Sequence, residues 1–323
     1  MKIFVAGSEG SLMQAVISRL LIKGHEVAGA DNFVRYGRIE RKRDYEFIEG
    51  DLTDMQFVKK AMNGTDGVIQ GAARIYGVGG FHKYPADILS HDVTLHQNIL
   101  WTAVNNNIRK VSYISSSMVY ERCRNYPGKE EDVFESRIPS TDYGLSKIIG
   151  ERLCHAFYEQ YGLKYVIWRP FNIITPFERG EKEQGMSHVF ADFIKMIVID
   201  KLNPLPIFGD GKQVRCFTWI EDIAKTVADY SFEEITDNQT YNLGNPEPIS
   251  MIELARLIYK EAQNLSLLPK GKPLSFRKVK SFKDDVRLRI PDVTKAKKEL
   301  GWSPSIKVAE AVRRCLVNIG KIY

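Results

Sequence analysis

Residues 1–31 constrain this chain more than any other stretch. Ile3 to Ala6 reads as a short buried strand and runs straight into Gly7-Ser8-Glu9-Gly10-Ser11-Leu12-Met13. A helical pattern follows, with Val16, Ile17, Leu20 and Leu21 on one face, and closes at Gly24. A second strand, Glu26 to Ala30, ends in Asp31. Strand, glycine turn, helix, strand and acid, in that order, make the nucleotide-binding unit of a doubly wound α/β sheet. Glycines let the backbone approach a pyrophosphate, and a helix N-terminus favours its negative charge. Asp31 suits a two-pronged grip on ribose hydroxyls and repels a 2′-phosphate, which favours NAD over NADP. Arg35 and Arg38 nearby pull weakly the other way.

The alternation continues along the chain. Tyr45 to Glu49 is a strand leading to Gly50-Asp51-Leu52, where the carboxylate is placed to meet an adenine amino group. Met55 to Met62 is helical, and Gly67 to Gly71 is a strand ending in Ala72-Ala73. A long helix from about Ala86 to Asn106 precedes a strand from Val111 to Ser115, which ends in Ser115-Ser116-Ser117-Met118-Val119-Tyr120. Ligands of an open parallel sheet bind at the carboxyl ends of its strands, so these serines stand where cofactor and substrate meet. After strand Tyr165 to Arg169 the rhythm stops, and Pro170 to Gly185 is loop-like. The expected architecture is a Rossmann-type α/β domain over residues 1–170, carrying the catalytic groups and NAD. Residues 171–323 form a smaller substrate-binding region, with some segments returning to the first domain.

Between the serines and that strand lies Thr141-Asp142-Tyr143-Gly144-Leu145-Ser146-Lys147, opening an amphipathic helix through Ile148, Leu153, Phe157 and Tyr161. Thr141 or Asp142 is its N-cap. Positions four apart share a helix face, so Tyr143 and Lys147 project into one site. An ammonium beside a phenol favours the phenolate and pulls its pKa from about 10 towards neutrality, which makes a usable general base.

Composition closes off other classes. With 323 residues, 44% hydrophobic and 27% charged, the chain is an ordinary globular one, long enough for a full core. It opens on a strand and not a signal peptide, and no apolar run approaches a membrane span, so a cytoplasmic protein is expected. Cys123, Cys154, Cys216 and Cys315 form no CxxC pair and the six histidines no HExxH, which argues against disulfides and metal. The net charge of +6 is moderate. Its basic clusters, Arg35 to Arg43 and Lys270 to Arg289, lack interleaved aromatics and fit an anionic small molecule or a solvated face better than nucleic acid.

Taken together, the motifs resemble the extended short-chain dehydrogenase/reductase family, in its nucleotide-sugar epimerase/dehydratase branch. The landmarks are Gly7-x-x-Gly10, Asp31, Asp51-Leu52, Ala72-Ala73, Ser115-Ser116-Ser117-x-Val119-Tyr120, Tyr143-x-x-x-Lys147 and Arg169-Pro170-Phe171-Asn172. Further on come Phe208-Gly209-Asp210-Gly211, Arg215, Glu221-Asp222, Tyr241-Asn242-Leu243-Gly244 and Leu300-Gly301-Trp302-x-Pro304. The resemblance implies that Tyr143 exchanges a proton with a sugar hydroxyl, usually at C4, while NAD takes hydride from that carbon. Ser116 shares the proton path, and Lys147 tunes the tyrosine and holds the nicotinamide ribose. NAD would lie along Gly7, Gly10, Ser11, Leu12, Asp31, Asn32, Asp51, Leu52, Ala72, Ala73, Ser115 and Pro170. A nucleotide-diphosphate sugar would meet Ser117, Asn172, His188, Val189 and Arg215, with Arg287 assisting at the diphosphate. The resemblance also implies a homodimer built on the long helix and the Tyr143 helix.

Three departures shape the expected reaction. Met13 replaces the third glycine of the turn, which is expected to push the first helix outwards. Asp92 stands where an asparagine is common. Ser117 and Met118 replace the acidic pair of the family's dehydratases, and Met118 also replaces the glutamate of its decarboxylases and the cysteine of its 3,5-epimerases. A thioether does no acid–base work, and Cys123 lies far along the loop. Yet Gly79-Gly80-Phe81 and Ser187-His188-Val189 resemble GDP-fucose synthase, and Gly211-x-Gln213-x-Arg215-x-Phe217-Thr218 resembles GDP-mannose 3,5-epimerase. The expected activity is 4-epimerisation through a transient 4-keto sugar. The alternatives are 3,5-epimerisation or C4 oxidoreduction of a GDP-sugar, and, outside catalysis, NAD sensing.

Overall fold

A computed structural model describes residues 1–321 apart from 36, 39, 283 and 284. The chain begins β1 (Lys2–Ala6), α1 (Ser11–Ile22), β2 (Glu26–Asp31), β3 (Glu46–Glu49), α2 (Met55–Ala61) and β4 (Gly67–Gln70). Next come α3 (Val78–Lys83), α4 (Pro85–Asn105), β5 (Lys110–Ile114), α5 (Asp132–Glu135), α6 (Asp142–Tyr161) and β6 (Lys164–Pro170). The rest runs β7 (Ile173–Ile174), α7 (Val189–Ile194), β8 (Leu205–Phe208), β9 (Val214–Cys216), β10 (Thr218–Trp219) and α8 (Ile220–Tyr230). It closes with β11 (Gln239–Leu243), β12 (Pro248–Ser250), α9 (Met251–Asn264), β13 (Phe276–Val279), β14 (Leu288–Arg289), α10 (Thr294–Leu300) and α11 (Val308–Val317).

Seven strands form one parallel sheet in the order β11-β6-β5-β4-β1-β2-β3. The chain therefore winds outwards from β1 in both directions, and a crevice opens at the carboxyl ends where the direction reverses. Alternation along β1 sends its side chains into two cores. Ile3 and Val5 pack with Val16, Ile17 and Leu20 of α1 and Ile223 and Val227 of α8. Phe4 and Ala6 pack with Val58, Leu95, Ile99 and Phe157 of α2, α4 and α6. Three elements from beyond residue 170 complete this unit: α8 lies beside α1, β11 supplies the outermost strand next to β6, and α10 packs Ala296 and Leu300 into the α1-side core.

The remaining C-terminal elements form a smaller layer with its own core, in which Phe190, Phe193 and Ile197 meet Leu254, Ile258, Val312 and Leu316. Its strands pair as β8 with β13 and as β12-β9-β14. Ser250 starts α9 through a reciprocal capping box with Glu253. Among the described residues no helix is long and apolar enough to cross a membrane. All four cysteines are unpaired and buried.

Candidate active site

One cleft of about 410 Å³ runs along the carboxyl ends of the sheet and under the smaller layer. At its cofactor end Gly7 takes φ +73°, and a Cβ there would stand 2.8 Å from Ala72 Cα, so only glycine lets the turn pass this close. Gly10 precedes α1 without a side-chain cap, which leaves the first N–H groups of a 12-residue helix pointing into the cleft. The Asp31 carboxylate accepts from Glu9 N (3.0 Å) and Phe33 N (2.8 Å), which fixes its orientation at the end of β2. A close backbone turn, an uncapped helix end and an oriented carboxylate fit a dinucleotide's pyrophosphate and ribose.

Gly7, Gly10, Ser11, Leu12, Asp31, Asn32, Leu52, Ala72, Ala73, Ser115 and Pro170 all line this cleft. Asp51 does not: its carboxylate accepts from Thr53 N and Oγ1, both at 2.9 Å, and shapes the turn after β3 instead. Met13 is accommodated in place. It is buried, and its sulfur lies where a Cβ on residue 71 would come within 2.4 Å, so Gly71 supplies the room that a third turn glycine would have left. The expected outward push on α1 is relieved by that missing side chain.

Helix α6 starts as its sequence demands. Thr141 is the N-cap of α6 and accepts from Gly144 N at 3.1 Å. Buried Glu121 in turn receives Thr141 N (2.9 Å) and Oγ1 (2.8 Å), which holds the helix start in register with the serine loop. Tyr143 and Lys147 are both buried at the cleft wall. The Phe81 ring of α3 stacks on Tyr143 with centroids 4.6 Å apart and planes 4° from parallel. Burial pushes the phenol up, Asp92 adds to this, and a hydrogen bond with Ser116 opposes it. Lys147 is pushed down to about 8 by burial, with Asp92 and Glu151 opposing. Its Nζ donates to Ile114 O at 3.0 Å and lies 5.7 Å from the Tyr143 ring centroid, and burial leaves the phenol's net shift upward.

Asp92 of α4 is fully buried and accepts from Arg74 N (2.8 Å) and Ser146 Oγ (3.1 Å), with His91 Nδ1 at 3.1 Å. Burial works to raise its carboxyl, but His91, His96 and Lys147 hold it below the usual range. Met118 lines the cleft beside Ser116 and Ser117, whereas Cys123 packs away from it among Tyr120, Val133 and Phe171.

At the substrate end Arg215 and Asn172 line the cleft and Arg287 does not. Arg287 lies at the surface in an ion pair with Asp210 (2.8 Å). The cleft's second guanidinium belongs to Arg289, two residues on. Pairing of β14 with β9 sets Arg289 directly opposite Arg215. Arg289 Nη2 donates to Asn172 Oδ1 at 3.0 Å, and its Nη1 touches the Met118 sulfur. Asn172 itself has φ +22°, a region asparagine tolerates better than most residues, and anchors through Nδ2 to Cys216 O (3.0 Å). Burial, and then Arg289, pushes Arg215 down to about 9; Asp285 at 3.5 Å is its ion-pair partner. Like charges directly opposite one another in a sheet destabilise it. The pair is therefore a natural seat for a polyvalent anion.

His188 and Val189 also line the cleft, at the start of α7. His188 Nδ1 bonds the Glu178 carboxylate at 2.8 Å, and Glu178 also meets Arg35 at 3.3 Å. Although desolvation pulls it down, Glu178 raises the imidazole above its ordinary value.

Comparison with known proteins follows the same lines. The family model described as NAD dependent epimerase/dehydratase family matches residues 3–244. The UDP-glucuronate 4-epimerase of Thermodesulfobacterium geofontis is 31% identical over 328 residues, covering 96% of this chain and 93% of the relative. GDP-mannose 3,5-epimerase 1 of Oryza sativa subsp. japonica is 27% identical, covering 97% and 80%. The X-ray structure of Pal from Bacillus thuringiensis superimposes with TM-score 0.87 at 28% identity over the whole of both chains.

Proposed function

The chain belongs to the NAD dependent epimerase/dehydratase family, and on that premise we propose that it is a nucleotide-sugar 4-epimerase. The observation that carries the reading is the make-up of the catalytic wall. Ser116, Tyr143 and Lys147 supply what is needed to oxidise and re-reduce one carbinol carbon, and Met118 stands beside them with nothing to donate or accept as an acid or base. Bound NAD would supply the hydride chemistry at the sugar carbon.

The chain's own residues do the rest. Ser116 and Tyr143 take the 4-hydroxyl proton and give it back, and Lys147 sits one turn along to hold the nicotinamide ribose and the charge balance. Arg215, Arg289 and Asn172 grip the diphosphate, so the sugar can turn about its tether while the nucleotide stays put. Phe81 covers Tyr143 and keeps water from the face it stacks on.

One observation favours a second reading, 3,5-epimerisation. His188, held by Glu178 with a raised pKa, is a candidate acid on the far side of the cleft. Met118 is inert as a base and Cys123 lies outside the cleft, so neither stands in for the base that 3,5-epimerisation needs.

The test is to incubate the purified chain with UDP-, GDP-, CDP- and dTDP-sugars and to follow products by NMR. At least one should equilibrate with its C4 epimer without added cofactor turnover. Conversion of every accepted sugar to a 4-keto-6-deoxy product, or no conversion of any, would count against the reading.

A further inference from the structure

A charge cluster lies beside the ribose-gripping end of Asp31 and is not explained by cofactor binding as described. Glu9 belongs to the glycine turn, and its N–H donates to Asp31 Oδ2 at 3.0 Å, so its side chain starts next to that carboxylate. The side chain is only 3% exposed. Arg43 Nε and Nη2 donate to its two oxygens at 3.1 Å each. Arg41 Nη2 lies at 2.8 Å and Tyr45 Oη donates at 2.5 Å. Arg43 is held over the Phe33 and Phe47 rings, 5.7 and 4.4 Å from their centroids. Phe33 N in turn bonds the other oxygen of Asp31 at 2.8 Å. Glu9 lines the cleft, whereas Arg41 and Arg43 stand behind it.

Two guanidinium groups gathered at the adenosine end are what a nucleotide site uses to take a 2′-phosphate. Here Arg43 already spends Nε and Nη2 on the Glu9 carboxylate and Arg41 Nη2 lies against it at 2.8 Å, so that carboxylate stands between both guanidinium groups and the cleft. We propose that Glu9 is a selectivity lock: it fills the Arg41–Arg43 fork from inside, so the fork cannot take the 2′-phosphate of NADP. The proposal rests on Asp31 marking the cofactor ribose. Asp31 repels the 2′-phosphate; Glu9 removes the attraction that two neighbouring arginines would otherwise supply. A carboxylate that merely pinned the 40–45 segment to the turn would have no effect on the choice between cofactors.

The experiment is a calorimetric titration of NAD and NADP into the purified full chain. The proteins compared are wild type, Glu9→Gln, Glu9→Ala and the double variant Glu9→Gln/Arg43→Ala, with each fold checked by circular dichroism. Glu9→Gln keeps the shape and frees the guanidinium charge, so the ratio Kd(NADP)/Kd(NAD) should fall by about tenfold or more. Glu9→Ala should act in the same direction, and the double variant should lose most of that gain. An unchanged ratio in the folded Glu9→Gln protein would overturn the lock. So would an equal gain in the double variant, which would make the effect one of net charge alone. Loss of folding in both single variants would also overturn it, by showing Glu9 to be a structural charge. If wild type binds neither dinucleotide, the cofactor assignment of the cleft falls first, and the lock with it.

Discussion

Tyr143→Phe is expected to lower turnover by about 10²–10⁴-fold while leaving NAD and sugar-nucleotide binding close to wild type. The hydroxyl is the only atom removed. The ring it sits on is stacked against Phe81 and buried with Ile88, so phenylalanine keeps the same packing. The anion seat at Arg215 and Arg289 lies on β9 and β14 and is untouched. Ser116 would remain, but a serine hydroxyl without the phenol has no group to pass its proton to. Comparing single-turnover rates with titrated affinities separates the two effects. A variant retaining more than a third of wild-type turnover would remove Tyr143 from the mechanism.

The largest stability effect should come from beneath the serine loop. Arg169 of β6 is fully buried and grips Glu151 of α6 through Nε (2.9 Å) and Nη2 (2.7 Å). Its Nη1 donates to Tyr120 Oη and Glu130 O, both at 2.8 Å. Glu151 also accepts from Ser115 Oγ at 2.5 Å. Burial works against the guanidinium, but Glu151 and Tyr120 hold it charged. Removing one partner leaves the other charge buried and unmatched, a loss of about 3–5 kcal/mol. Arg169→Met and Glu151→Met should each lose that much in urea unfolding. The double Arg169→Met/Glu151→Met protein should lose less than either single variant, because no charge remains stranded. A double variant as unstable as the sum of the two would show no coupling between the charges and would contradict the stranded-charge account.

The sheet and the catalytic pair were legible because they rest on local rules. The unbroken apolar run into Gly7, the acid ending β2 and the four-residue spacing of Tyr143 and Lys147 each follow from a few neighbouring residues. What was not legible depends on contacts between distant segments. Arg289 outranks Arg287 at the cleft only because β14 pairs with β9 in one register, and two residues of β14 carry no sequence signal of that pairing. A position opposite Arg215 was the one clue, and it needed the sheet. Asp51 turned to its own Thr53, a local bond that competes with any ligand. Met13 fits because Gly71 faces it at the carboxyl end of β4, a compensation spread over two segments. Phe81 of α3 over Tyr143 and Glu121 under Thr141 likewise come from distant segments whose path only the fold determines. Spacing places Tyr143 and Lys147 on one face but does not say that Lys147 will turn its Nζ to Ile114.

Chemistry confined to C4 is tested most directly by product formed in D2O. Epimerisation at C3 or C5 passes through an enolate, so the ring carbon loses its proton and regains one from solvent. At C4 the carbon-bound hydrogen travels as hydride and never meets water. With Met118 beside the catalytic serine and His188 alone on the far side, NMR of the product should show no deuterium at C3, C4 or C5, and His188→Ala should lose only a modest part of the rate. Deuterium at C3 or C5, disappearing together with activity in His188→Ala, would contradict the 4-epimerase account in favour of the 3,5-epimerase one.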